Sequence, residues 1–234
     1  MKKLQAISKI KISLLMIIAI IFVQSCTDEE IITEYPYHEI SEEYQAYTAF
    51  DSGSYWVYQK TTATINNIDT VKITKVNFDR RFHIDNTTTG FFYDAIEQSL
   101  SSTYIGLEKA ETSAGSPINN STMNENYRIF FNSGSYYSVF IPKFPVDSMQ
   151  LLGDAEGNYQ NLAFHNQLEI QGRIYTDVFH TQVIFNVGQV DQGIMEFFFA
   201  KDFGLVKYTK KQLINDIQIN DEWVLTNSML TRIP

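Results

Sequence analysis

One cysteine in 234 residues excludes a fold stapled by internal disulfides, and 5 prolines with 11 glycines exclude a collagen-like or low-complexity chain. Basic residues are scarce, 18 against 27 acidic, and the pairs Arg80-Arg81 and Lys210-Lys211 are the largest basic clusters beyond the N-terminus. A chain of this sign is repelled by polyphosphate, so no nucleic-acid partner is expected. Long apolar runs are also missing. The longest, Ile12–Val23, has 12 residues, well short of the roughly 20 that a helix needs to cross a bilayer. What is abundant is aromatic: 17 Phe, 14 Tyr and 2 Trp, enough for a substantial core.

The short apolar run has informative flanks. Lys2, Lys3, Lys9 and Lys11 precede it, and Val23-Gln24-Ser25-Cys26 closes it, the charge, apolar and small-residue order of an export signal. Those last four residues resemble the lipobox of bacterial lipoproteins. The resemblance implies removal of residues 1–25, a diacylglyceryl thioether on Cys26 and acylation of the new amine. Two or three chains make a lasting membrane attachment, whereas one holds only reversibly. Without the four lysines, 14 basic residues remain against 27 acidic, a net charge of -13.

From Thr27 to Gln59 there are eight acids and no Lys or Arg, so residues 26–48 read as an extended acidic tether. Cys26-Thr27-Asp28-Glu29-Glu30 resembles the acidic tract of surface lipoproteins of Bacteroidota. This implies a lipid-anchored protein of the outer membrane, on its periplasmic face or at the cell surface. The alternative for the tract is a plain solvated linker.

Residues 49–234 read as one all-β domain, an antiparallel, meander-rich sandwich or a strongly curved half-barrel sheet. Short β-branched and aromatic runs recur between Asn, Asp, Gly and Ser, and no window beyond the signal has sustained helical spacing. Gln171-Gly172, Asp202-Phe203-Gly204 and Asn220-Asp221 are expected hairpin turns. Segments 112–126 and 144–161 are expected long loops. In Thr70–Phe78 the apolar phase moves from Val71 and Ile73 to Val76 and Phe78, which predicts a bulge near Thr74-Lys75. Phe197–Phe199 is apolar on both faces, as for a central strand or one facing a cavity. Phe50–Trp56 and Phe131–Tyr137 share the pattern Phe-Asx-Ser-Gly-Ser-Tyr-aromatic, read as repeated turn chemistry in preference to duplication.

Gly53-Ser54-Tyr55-Trp56-Val57-Tyr58, Gly172–Val178 and Phe198–Tyr208 resemble strand motifs of small exported lipoproteins of Bacteroidota. The resemblance implies a secreted antiparallel β domain and brings no catalytic residues. The chain's own residues offer none either. His38, His83, His165 and His180 form no His-x-His or His-Glu-x-x-His pattern, and no Gly-x-Ser-x-Gly elbow occurs. Asp154-Ala155-Glu156-Gly157-Asn158 departs from the EF-hand pattern and reads as a turn. The expectation is a protein without cofactor or metal and not an enzyme. Asp69-Thr70-Val71 and Asp147-Ser148-Met149 resemble O-glycosylation acceptors of exported Bacteroidota proteins, which makes Thr70 and Ser148 candidate glycan sites.

Two roles compete. One is a non-enzymatic module binding a protein or glycan, which an exposed Trp56 or Trp223 would favour. The other is a carrier of lipid or another apolar ligand, which needs a Phe-lined cavity in a curved sheet.

Overall fold

The computed structural model describes residues 35–62, 67–84, 90–118, 122–152, 157–187, 191–214 and 217–233. The signal segment, Cys26 and the Asp154–Glu156 part of the acidic turn lie outside them. The described elements are β1 (Tyr37–His38), α1 (Glu42–Thr48), β2 (Tyr55–Lys60), β3 (Ile68–Ile84), β4 (Gly90–Ser101), β5 (Leu107–Ile118) and β6 (Thr122–Phe131), then β7 (Tyr136–Phe140), β8 (Met149–Leu151), β9 (Asn158–Ile170), β10 (Arg173–Val187), β11 (Asp191–Ala200), β12 (Gly204–Ile214) and β13 (Ile217–Met229).

All strands belong to one sheet, in the order β7-β6-β5-β4-β3-β2-β13-β12-β11-β10-β9-β8, with β1 added in parallel to β4. Along that path each neighbour is antiparallel and consecutive in sequence except β2 and β13, which join two six-stranded meanders. The all-β, antiparallel, strongly curved reading therefore holds. The sheet is not closed by a backbone ladder.

Side chains bridge the gap between its two ends. On β10, Thr181 Oγ1 donates to Val139 O at 2.6 Å. On β9, Asn161 Nδ2 donates to Ile141 O at 3.0 Å and Phe144 O at 2.8 Å. Ile141 N donates to the Tyr159 hydroxyl at 2.9 Å, and that hydroxyl donates to Asn161 Oδ1. Backbone groups just beyond β7 that lack a strand partner are thus satisfied in a buried place, where an orphan would be expensive.

Several expectations are corrected in detail. The acidic tether does not extend to residue 48: β1 pairs with β4, and α1 packs its Tyr44 and Tyr47 into the core. Segment 112–126 is not a loop but most of the β5–β6 hairpin, whose polar residues Thr112, Ser113, Asn124 and Asn126 are buried between neighbouring strands. Thr70–Phe78 is part of a longer strand that runs on through Ile84, because Asp79 and Arg80 continue the ladder against Ala95 and Asp94. Asn220-Asp221 is inside β13, paired with Lys211 and Lys210; opposite charges across strands support extended backbone there.

Other features agree. The β3–β4 register shifts between Ile73 and Lys75, and the displaced Thr74 has its carbonyl taken by Ser52 Oγ and its hydroxyl by Ser99 O, each at 3.2 Å. Gln171 and Gly172 both have positive φ, 50° and 79°, as a tight right-twisting hairpin demands. The two Ser-Gly-Ser segments place Gly53 and Gly134 at φ 90° and 82°. One leads into mid-sheet β2 and the other into edge strand β7, so the shared feature is the turn alone.

The core is an aromatic stack. Tyr44 lies 5.2 Å from Phe140, Phe140 lies 5.0 Å from Phe199, and Phe197 lies 5.2 Å from Tyr208, all with ring planes within 27° of parallel. Tyr44 donates to Phe140 O at 2.8 Å, Trp56 Nε1 to Phe203 O at 2.7 Å and Tyr58 to Leu205 O at 2.7 Å. Each polar tip has a backbone acceptor while its ring is buried. Met195, Phe197 and Phe199 point into this core. Phe198 lies on the opposite face, stacked 4.0 Å from His180.

Candidate functional site

The most exposed aromatic surface is on β3 and β4, past the point where β5 stops pairing. β5 covers β4 from Ala95 to Ser99. Nearer its start β4 takes β1 as neighbour, with Tyr37 opposite Phe92 and Phe92 N donating to Pro36 O at 2.8 Å. One face of this extension carries Phe78, Arg80, Phe82 and Ile84, alternate residues of β3, opposite Ile96, Asp94, Phe92 and Gly90. Phe78 and Ile84 are each 63% exposed, and Phe82, Phe92, Tyr35 and Tyr37 are also exposed. Tyr35 packs edge-on against Phe82 at 4.9 Å.

Beside this surface is a cleft of about 490 Å³, lined by Tyr37, Ile40, Gln45, Phe78, Asp79, Arg80, Asp94, Ala95, Ile96 and Ile233. Ile40, Ala95 and Ile96 give it an apolar, buried floor. Its rim is a linked polar group. The Tyr37 hydroxyl is 2.7 Å from both Asp94 oxygens, Arg80 Nη2 donates to the same hydroxyl at 2.7 Å, and the guanidinium carbon sits 4.1 Å from the Tyr37 ring centre. The hydrogen bond to Asp94 pushes the Tyr37 phenol above its ordinary pKa, so it stays a neutral donor. The cleft thus offers aromatic faces, a carboxylate and a guanidinium together.

A second cleft of about 400 Å³ opens at the start of α1, between Ser41, Glu43, Tyr44, Tyr47, Glu125, Pro142, Lys143 and Phe179. Its buried carboxylate is already engaged, since Glu125 Oε1 accepts from Ser41 N at 2.7 Å and Lys143 approaches the other oxygen at 3.7 Å. Inside the sheet, the void beside Phe50, Trp56 and Tyr58 measures only about 30 Å³, roughly one water. Trp56 and Trp223 are both buried, so neither supplies the exposed indole a tryptophan-based surface would need.

Several charged groups pair within the fold. Arg81 bridges Glu97 at 2.5 Å and Glu111 at 2.9 Å across β3, β4 and β5. Among the described residues, the carboxyls with a resolved shift, Asp69, Glu97, Glu196 and Glu222, move downward. For Asp69, Glu97 and Glu222 burial opposes ionisation and is outweighed by donors: the Ser102 hydroxyl and the amides of Ile105, Thr103 and Tyr104; Lys109 and Arg81; and Lys207 with Thr61. For Glu196 the hydrogen bond from His180 leads. The four histidines lie on β1, β3, β9 and β10. Among the described residues no group of three or more His, Cys, Asp or Glu is placed to hold a metal.

The two candidate glycan sites fall in unlike places. Thr70 is exposed but inside β3, paired with Val57, and its neighbour Asp69 is committed to the 102–105 turn. Ser148 is half-buried in the β7–β8 connection, where its hydroxyl accepts from Gln150 Nε2 at 3.0 Å.

The β3–β4 surface and α1 were not singled out in the sequence, though both leave a trace there. Phe78-x-Arg80-x-Phe82-x-Ile84 is period-two patterning. Ser41-Glu42-Glu43 supplies a helix cap, with Tyr44 N donating to Ser41 Oγ at 3.3 Å, and two acids at the positive helix end.

No protein-family model matches the chain, and no curated protein matches it in sequence. Among solved structures it is similar to the crystal structure of a candidate lipoprotein from Parabacteroides distasonis, at 8% identity and a TM-score of 0.37, covering 77% of this chain and 99% of that one. A likeness so distant bears on neither fold nor function.

Proposed function

We propose that this chain is an exported lipoprotein of the outer membrane, held by acyl chains on Cys26, whose β body is a non-enzymatic binding module for a protein or glycan. The observation that carries the binding role is the cleft bounded by Tyr37, Phe78, Arg80 and Asp94. Its volume of about 490 Å³ falls within the roughly 300–1,000 Å³ of small-ligand sites, and its exposed rings suit sugar faces or an interfacial side chain. Carriage of an apolar cargo fares worse, because an interior void near 30 Å³ is about a tenth of the smallest such site.

Crosslinking and affinity capture on intact cells, comparing the native chain with Phe78→Ala and Arg80→Ala, tests the binding reading. The same partner should be captured by the native chain and lost from both variants; an unchanged partner set overturns the assignment to this cleft. The anchor has its own test. Cys26→Ala should move the protein from the membrane to the soluble fraction, and retention in the membrane overturns lipidation.

A further inference from the structure

We infer that the exposed apolar end of β3 and β4, formed by Tyr35, Phe82, Ile84 and Phe92, seats in the lipid–water interface of the membrane that carries the anchor. This rests on the reading of Cys26 as that anchor and goes beyond it, since a lipidated cysteine alone leaves the body free to tumble.

Three observations carry it. First, the patch lies where the chain leaves for the anchor. Tyr35, the first described residue, is itself part of it, 4.9 Å from the Phe82 ring and 6.4 Å from the Phe92 ring. Second, only eight residues, Thr27–Glu34, separate Cys26 from Tyr35. At no more than about 3.6 Å per residue they reach about 30 Å, whereas the 17 residues of β3 extend about 55 Å at roughly 3.3 Å each. The Phe82 and Ile84 end is therefore leashed close to the bilayer, and the β2–β3 end is not. Third, the chemistry is layered. Ile84, Phe82 and Phe92 are apolar and exposed, and behind them come Tyr37, Arg80 and Asp94. That is the order of an interfacial surface, with apolar rings toward acyl chains and amphipathic groups at headgroup level.

The committed surface is an uncharged-headgroup one, because a body of net charge -13 is repelled by anionic lipid. A patch seated this way places the Phe78–Arg80 cleft, whose rim is Tyr37, Arg80 and Asp94, at headgroup level.

The single cysteine allows a test that does not depend on cellular lipidation. The chain beginning at Cys26 is coupled through its thiol to a maleimide-headed lipid in phosphatidylcholine vesicles, with or without brominated acyl chains. F82W and F92W report on the patch, L213W on the opposite end of the sheet, and the unsubstituted chain gives the background of Trp56 and Trp223. The added indole of F82W and of F92W should lose at least half its emission to bromolipid, while that of L213W is unchanged. Equal, weak quenching at all three positions overturns the seating. So does an F82W signal that is solvent-like on vesicles but shielded on native membranes, which assigns the patch to a protein partner. Either result leaves the anchor reading intact, which the Cys26→Ala fractionation decides separately.

Discussion

Single side chains here do two tasks, filling space and terminating a backbone group, and their removal separates the two. Tyr44→Phe keeps the ring in the stack but removes the hydrogen bond to Phe140 O. Chemical denaturation should show a loss of about 1–2 kcal/mol, and Tyr44→Ala about 3–5 kcal/mol. Asp69 is the buried counterpart in charge. Its carboxylate accepts from Ser102 Oγ at 2.7 Å and from the amides of Thr103, Tyr104 and Ile105 at 2.7–3.0 Å, and its pKa is held below the ordinary 3.8. A depressed folded-state pKa gives stability that is complete above the unfolded value and is lost as pH falls through the folded one. Asp69→Asn should therefore cost about 2 kcal/mol near neutrality, and the gap between native chain and variant should close below about pH 4. A gap that persists at pH 2 would show that charge is not the cause. Ser148 carries the remaining residue-level expectation. If it bears a glycan, intact-protein mass spectra of the exported form exceed peptide plus lipid and fall back in Ser148→Ala.

At the level of elements, the seam between β7 and the β9–β10 pair is the part of the fold most dependent on side chains. Asn161→Leu fills similar volume but removes the donor to Phe144 O and leaves Ile141 O only its 3.3 Å bond from Phe144 N. Hydrogen exchange should accelerate across β7 by tenfold or more, about 1.4 kcal/mol of local opening, with β11 and β12 unaffected. The contrast with those strands explains what was legible in the sequence. β11, β12, the Gln171-Gly172 hairpin and the bulge at Thr74 come from local chemistry, alternation and turn residues, which a sequence displays directly. The β5–β6 hairpin was hidden because its buried Thr112, Ser113 and Asn126 look like loop residues until neighbouring strands enclose them. The same limit applies to the cleft. Tyr37 and Asp94 are 57 positions apart, and only the pairing of β1 with β4 brings them together. The position of Cys26 after an apolar run, by contrast, is written entirely in consecutive residues.

For the molecule as a whole, the acidic balance and the aromatic core divide the work, the first governing approach to other surfaces and the second stability. If residues 1–25 are removed as the proposed export requires, the net charge is -13, and lowering ionic strength should weaken association of that form with anionic vesicles because the charge is less screened; flotation assays at two salt concentrations check this. A rise in association would place local basic groups, Arg80 and Arg81 among them, above the overall field.

The pairing of β2 with β13 has a kinetic consequence. Trp56 on one strand and Trp223 on the other are more than 160 residues apart, yet each strand supplies a border of the join between the two meanders. An N-terminal fragment can form the β3–β4 and β5–β6 hairpins but has nothing to set against the free side of β2. Such a topology is slow to complete, because its decisive contact is its most distant one. A chain threaded through a membrane channel from its N-terminus would remain unfinished, and therefore still threadable, until its last strand had emerged.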